Sequence, residues 1–327
     1  MIRTWMRCAQ AICMLACLGV FASANAEGSY PDRTVRIVIG TPPGDSADAT
    51  ARSLAGALGK LTGQAFFIDN RPGAHGILAA EAVKNAPADG YTLLLSTGGP
   101  MAINPSMYRK LPYDPLKSFE AVAPLNTGGL YLVVNNDLPV HDVKELVAYA
   151  KAHSGKLNYG SGGSGTTQHL AMEMLKKSMG IDMVHVPYKG SPLVLQDLIG
   201  GQIQLAFDAG GSVLPQIRNG KVRLIGVASD ARSPNAPDMP TLQEQGVPAF
   251  RAVVWSGVFV PAGTPPEIVA RLNALVNQVL HDPAFAAQLR AQGGEPAGGS
   301  SADFHAFLAQ EIPLWAKAVA VSGATID

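Results

Sequence analysis

The chain has three cysteines, Cys8, Cys13 and Cys17, and none after residue 17. Thiolate nucleophiles, disulfide frameworks and soft-metal cysteine sites are therefore excluded from the rest of the chain. Long apolar runs are equally scarce. Beyond a stretch from about Cys8 to Ala22, nothing approaches the roughly 18 uninterrupted apolar residues of a membrane span. Charge is thin and balanced, 25 basic against 25 acidic residues, so no basic footprint points to nucleic acid or to an anionic membrane surface.

What stands at the N-terminus is an export signal. Arg3 and Arg7 precede the apolar run, and Ala24-x-Ala26 follows it, which predicts cleavage after Ala26 and a periplasmic mature chain starting at Glu27. Acylation at Cys17 is the competing reading, but "MLAC" truncates the apolar core. Loss of Arg3 and Arg7 leaves 23 basic and 25 acidic residues. About 300 residues without disulfides suit two domains of ordinary size.

Periodicity then organises the chain. "VRIVIG", "AFFIDN" and "YTLLLST" are strand-like runs separated by helical patterns, one of which carries Ala51, Leu54, Ala55, Leu58 and Leu61. The same order repeats through "KLNYGS", a helix from about Thr167 to Met179, "MVHVPY", "PLVLQDLIGG", "IQLAFDA", "LPQIRNG" and "VRLIGVAS". Two α/β lobes follow, each a mainly parallel sheet with helices on both faces. "TGGLYLVVNND" and "WSGVFVPAGTP" flank the second lobe and read as two crossover strands. Residues 27–127 with 254–327 form lobe 1 and 128–253 lobe 2, and the two C-terminal helical patterns pack back on the first lobe.

Ligands of open parallel sheets sit beyond the carboxyl ends of the strands. Four loops occupy that position: "GTPPGDSADA" (40–49), "STGGPMAIN" (96–104), "GSGGSGTTQ" (160–168) and "DAGGS" (208–212). None contains Lys or Arg, and two run straight into a helix, whose free N–H groups and partial positive charge make an anion site without a cation. Gly160, Gly162 and Gly165 satisfy G-x-G-x-x-G, yet no strand ending in Asp or Glu follows, so a dinucleotide cofactor is not expected. Ser161, Ser164 and Ser212 lack the G-x-S-x-G context of a nucleophile elbow. His169 and Glu173 are spaced as a helical pair without a third ligand, so no metal is expected. Asp48 reads as a cap or first-turn anion. Asp45 and Asp208 are candidates for an amine, hydroxyl or water of a ligand, and His75 sits at a strand-to-helix turn on the cleft side.

Many segments in order, including "YPDRTVRIVIGTPPGDSADATAR", "ADGYTLLLST", "INPSMYRKLPYDP", "KLNYGSGGSGTTQHLA", "MVHVPYKGS" and "PAGTPPEIVARLN", resemble the Bug family, the periplasmic solute receptors of tripartite tricarboxylate transporters. The resemblance implies a two-lobed Venus-flytrap fold of the type II periplasmic binding-protein class, no enzymatic activity and no cofactor. It implies a monomer that captures a small organic acid (a dicarboxylate, acidic amino acid or aromatic acid) and delivers it to membrane permease subunits. A sensory receptor for a membrane kinase and an exported hydrolase are the alternatives. The ligand-binding residues it implies are Pro43, Gly44, Asp45, Ser46, Ser96, Thr97, Gly98, Ser161, Gly163, Gly165, Thr166, Thr167, Asp208 and Trp255, with Thr166 and Thr167 as hydroxyl donors. Departures bear on the ligand: Asp45 replaces a glycine of the family pattern, and His75 and Ile77 stand where Gly and Asn are usual.

Overall fold

A computed structural model describes residues 30–324; the export signal expected over residues 1–26, with its cleavage point before Glu27, lies outside the described residues. Among the described residues, the unit beginning at Arg33 carries all of the regular structure. Its first part is β1 (Val35–Ile39), α1 (Ser46–Thr62), β2 (Phe66–Asn70), α2 (Ile77–Lys84) and β3 (Thr92–Thr97). β1 lies between β2 and β3, parallel to both. Parallel neighbours need helical crossovers, and these cover both faces of the sheet. Ile37, Val38, Leu93 and Leu94 are accordingly enclosed, and α1 turns Ala51, Leu54, Ala55 and Leu58 inward as one stripe.

A π-type turn (Gly99–Ile103) and the short α3 (Asn104–Met107) lead to β4 (Phe119–Val134), the strand that joins the lobes. Up to Gly129 it pairs antiparallel with β9 (Val253–Pro261). From Leu130 on it pairs with β7 (Leu205–Asp208) and β8 (Arg223–Ala228). Ala252, immediately before β9, still bonds Ala228, so the chain crosses between lobes at two adjacent points. The second lobe holds α4 (Val143–Ala152), β5 (Asn158–Ser161), α5 (Thr167–Met179), β6 (Val184–Pro187), α6 (Ser191–Ile199) and α7 (Gly210–Arg218), with β5 parallel to both β6 and β7.

The strand order β2-β1-β3-β9-β4-β7-β5-β6 is the two-lobed α/β architecture expected, with parallel pairing at each outer trio and antiparallel pairing at the joint. Along β4, Leu130, Leu132 and Val134 join one apolar cluster while Tyr131 and Val133 join another, the period-two consequence of burial on both faces. α8 (Pro266–Leu280) returns to the first lobe, against β4 and α1; α9 (Pro283–Ala291) and β10 (Glu295–Pro296), which pairs with β4, follow. α10 (Ser301–Ser322) departs from the expectation of first-lobe packing. Phe304, Leu308, Trp315 and Ala318 form its buried seam, and it packs on β4 and the π-type turn and also on α5 of the second lobe.

Candidate functional site

The loops after β1, β3, β5 and β7 meet in one cleft of two adjoining cavities, about 530 Å³ and 260 Å³, which share Ala47, Thr97, Gly99 and Thr167. Among the described residues no Asp, Glu, Lys or Arg lines either cavity, and His75 is the one titratable side chain there. The polar surface consists of hydroxyls, amides and helix starts. Ala47, Thr167 and Gly210, each in the first two residues of its helix, bring the N-termini of α1, α5 and α7 to the cleft.

The expected residues divide between lining and support. Thr97 and Thr167 line both cavities; Ser96, Gly165 and Thr166 line the larger and Gly98 and Trp255 the smaller. Ser46 opens α1. Pro43, Gly44, Asp45, Ser161, Gly163 and Asp208 line neither cavity. Asp45 is the N-cap of α1, accepting from the Ala47 N–H at 2.9 Å. Asp48 is the buried first-turn anion, taking the Gly44 N–H, Arg52 Nε and Asn70 Nδ2 within 3.0 Å. Its carboxyl is held down to about 2, chiefly by Arg52, against the opposing effect of burial. Asn70 also donates to the Thr41 carbonyl, so these side chains pin the 41–44 loop from behind.

The 161–166 loop is pinned the same way. Thr166 caps α5 and donates to the Gly163 carbonyl at 2.8 Å. The Gly165 N–H donates to His169 Nδ1 at 3.1 Å, which requires a bare Nδ1 and places the neutral ring's proton on Nε2. His169 stacks on His185 at 4.0 Å, and His185 Nε2 meets Ser161 Oγ at 2.7 Å. Burial lowers both imidazoles, His185 to about 4 with its neighbour's help. Glu173 bonds Tyr159 and Lys176 rather than His169, and no metal-ligating group of three occurs among the described residues. Gly165 has φ +77°, the left-handed backbone that favours glycine, and a Cβ there would have to displace the Met107 Cε that packs against it.

Behind β9, Glu311 is 2% exposed and accepts from Trp255 Nε1 and Trp315 Nε1, both at 3.0 Å, and from Arg251. Sequence reasoning missed this anchor and the lining supplied by Asn126, Thr127 and residues 292–294. His75, exposed and held at φ +51°, lines the larger cavity, and its carbonyl takes Asn104 Nδ2 at 3.1 Å. Gln168, in the first turn of α5, also lines the larger cavity.

Residues 50–323 match the tripartite tricarboxylate transporter receptor family, TctC. The chain belongs to that family. BugT of Bordetella pertussis is 34% identical over 95% of this chain and 96% of its own length. Among solved structures, an R. palustris protein with adipate is 37% identical with a TM-score of 0.80, covering 90% of this chain and 98% of the other. MatC from Rhodopseudomonas palustris, with bound malate, is 32% identical with a TM-score of 0.77, covering 89% and 100%. TctC-family proteins are solute-binding receptors rather than enzymes, and they act in the periplasm.

Proposed function

We propose that this TctC-family chain is an exported receptor that captures a small carboxylate between its lobes and hands it to the membrane subunits of a tripartite tricarboxylate-type transporter. The observation that carries the reading is the cleft's polarity: three helix N-termini and a set of hydroxyls, with no side-chain cation or carboxylate lining it among the described residues. Helix starts present unpaired N–H donors and partial positive charge, which favours an anion at moderate strength and permits release. Thr41 lines this cleft, although its Oγ1 is itself buried and has no hydrogen-bond partner.

α1 spends its N-terminus on its own acids, Asp45 and Asp48, and the buried Asp208 takes the N–H of Ala209, the N-cap of α7, whereas α5 is capped by a hydroxyl. The ligand carboxylate therefore sits at the α5 end, with Thr167 donating, while Thr97 serves the rest of the molecule. The adipate and malate held by relatives are of the size and charge this cleft takes. A thermal-shift panel of organic acids tests the proposal: a ligand at 100 times its dissociation constant stabilises by about 2.7 kcal/mol. A panel of C4 to C6 acids and aromatic acids that moves no melting temperature refutes it.

A further inference from the structure

Among the described residues, His75 is the one side chain lining the cleft that can take a positive charge, and no carboxylate lines the cleft to neutralise it. Its backbone is held in place. Ala74 and His75 both stand at positive φ, 45° and 51°, a conformation that L residues rarely adopt and that the surrounding structure must impose. Asn104 Nδ2 donates to the His75 carbonyl at 3.1 Å, and the Gly76 N–H donates to the Gly73 carbonyl at 2.9 Å. The ring meets Tyr108 edge-on, with centroids 6.3 Å apart. Neither ring nitrogen has a hydrogen-bond partner among the described residues.

The charged groups of the neighbouring elements are committed elsewhere. Arg71 pairs with Asp69 at 2.9 Å on the turn that leads to His75, and at the start of α1 Asp48 pairs with Arg52 while Asp45 accepts from the Ala47 N–H. α2 carries Glu81 and Lys84 more than one turn beyond its start, with Lys84 bonded to the Pro112 carbonyl, and the π-type turn has no titratable group. A phenol such as that of Tyr108 is uncharged between pH 6 and 8. From the second lobe, His169 gives its Nδ1 to the Gly165 N–H and is held neutral by burial. None of these groups lines the larger cavity, whereas Gly165, Thr166 and Thr167 line it together with His75. The start of α5 and His75 thus border one space from the two lobes.

Imidazole is the side chain that ordinarily changes charge between pH 5 and 8, and a carboxylate within reach favours its charged form. Resting on the receptor reading above, we infer that His75 is the specificity residue for a second carboxylate: a diacid with one end at the start of α5 and the other at His75 binds with uptake of a proton by the imidazole. The proton comes from solvent, and the imidazolium N–H donates to the carboxylate. Dicarboxylates are therefore preferred to monocarboxylates of the same length. Binding that favours a charged imidazole strengthens as pH falls, so the preference grows from pH 8 to pH 6.

The test is titration calorimetry with three pairs, succinate and butyrate, glutarate and pentanoate, adipate and hexanoate, each run at pH 7 in phosphate and in Tris. The two buffers differ in heat of ionisation, so the difference in measured heat counts the protons taken up. In at least one pair the diacid should bind roughly tenfold or more tighter than the monoacid, take up a measurable fraction of a proton, and tighten about three- to tenfold between pH 8 and pH 6. His75→Gln keeps a hydrogen-bonding side chain and removes the titration, so it should abolish the proton uptake, flatten the pH dependence and leave the monoacid within about twofold of wild type. Asp208, which titrates near 6 outside the lining, is common to both proteins, so any slope left in His75→Gln is not that of His75. His75→Gly, which suits the positive φ, should behave in the same way and carries the test if His75→Gln fails to fold. Absence of proton uptake, uptake that survives in both variants, or equal binding of diacids and monoacids overturns the inference and leaves the receptor reading standing. Failure of all six acids to bind overturns both.

Discussion

Thr166 and Thr167 are adjacent, yet the structure separates their roles, and two single substitutions expose the separation. Thr166 faces the loop: its hydroxyl donates to the Gly163 carbonyl and accepts the His169 N–H. Thr167 opens α5 and lines both cavities, and among the described residues its hydroxyl bonds to nothing. Thr167→Val keeps the shape and the β-branch and removes only the hydroxyl. A hydrogen bond to a charged group contributes about 1.5 to 3 kcal/mol, so affinity for the bound acid should fall roughly ten- to a hundredfold. Melting of the unliganded protein should not change. Thr166→Ala should instead cost about 1 kcal/mol of stability through the lost cap, with a fall of a few degrees in Tm. Titration calorimetry with the tightest acid of the panel, beside melts of the free variants, decides the matter. If Thr167→Val binds within twofold of wild type, the α5 hydroxyl does not hold the ligand and the polarity assigned to the cleft is wrong.

Glu311→Ala leaves two indole N–H groups and the partly buried Arg251 without their shared partner; the cost should be about 3 to 5 kcal/mol, read as a large drop in Tm. Asp208, raised from 3.8 to about 6 by burial, contributes stability that is fully present below pH 3.8 and lost as pH rises through 6. Asp208→Asn should therefore gain on wild type by up to about 3 kcal/mol between pH 4 and 7, and equal pH dependence of the two melts would refute the burial of a charge there. His185 acts in the opposite sense, its contribution being present above pH 6.5 and lost as pH falls through about 4, so acid melts of Asp208→Asn should slope more steeply than those of wild type. Asp45→Asn keeps an acceptor for the Ala47 N–H and removes the charge, so dianion binding should tighten severalfold at low salt and less at high salt. Saturating ligand should shrink the radius of gyration in solution scattering as the lobes turn about the crossing points near Gly129 and Ala252; an unchanged radius would argue against closure.

The elements were legible where local chemistry brackets them. α5 runs from Thr167 to Met179 as its periodicity predicts, because Thr166 caps one end and Gly180, at φ +61°, closes the other. The choice between Asp45 and Asp48 as cap was not legible. Two acids three residues apart satisfy the same pattern, and only the extended backbone of Asp45 (φ −70°, ψ 159°) decides it. The 292–294 lining was invisible for another reason: it follows no strand, and reaches the cleft because β10 pairs with Asn126 and Thr127 of β4. Asp208 was legible as an acid at a strand end. That it is bonded by Ser191 and Ala209 depends on two helix starts far apart in sequence.

On the proposed reading, these particulars explain how a site for an anion can dispense with a fixed cation. An arginine in the cleft would hold a carboxylate by a paired, bidentate contact whose strength opposes release. Helix starts spread the same task over several weak donors, but only if the loops that present them are rigid, since disordered donors would lose in entropy what they gain on binding. The buried side chains supply that rigidity from outside the cleft. Asp48 with Arg52 and Asn70 fixes the first loop, His169 and His185 with Ser161 fix the third, and Glu311 fixes Trp255 on β9. Apart from His75, the charged and titratable groups thus sit one layer behind the lining of the cleft. That placement is why substitutions in the lining should alter affinity and selectivity, while substitutions in the layer behind should alter stability first.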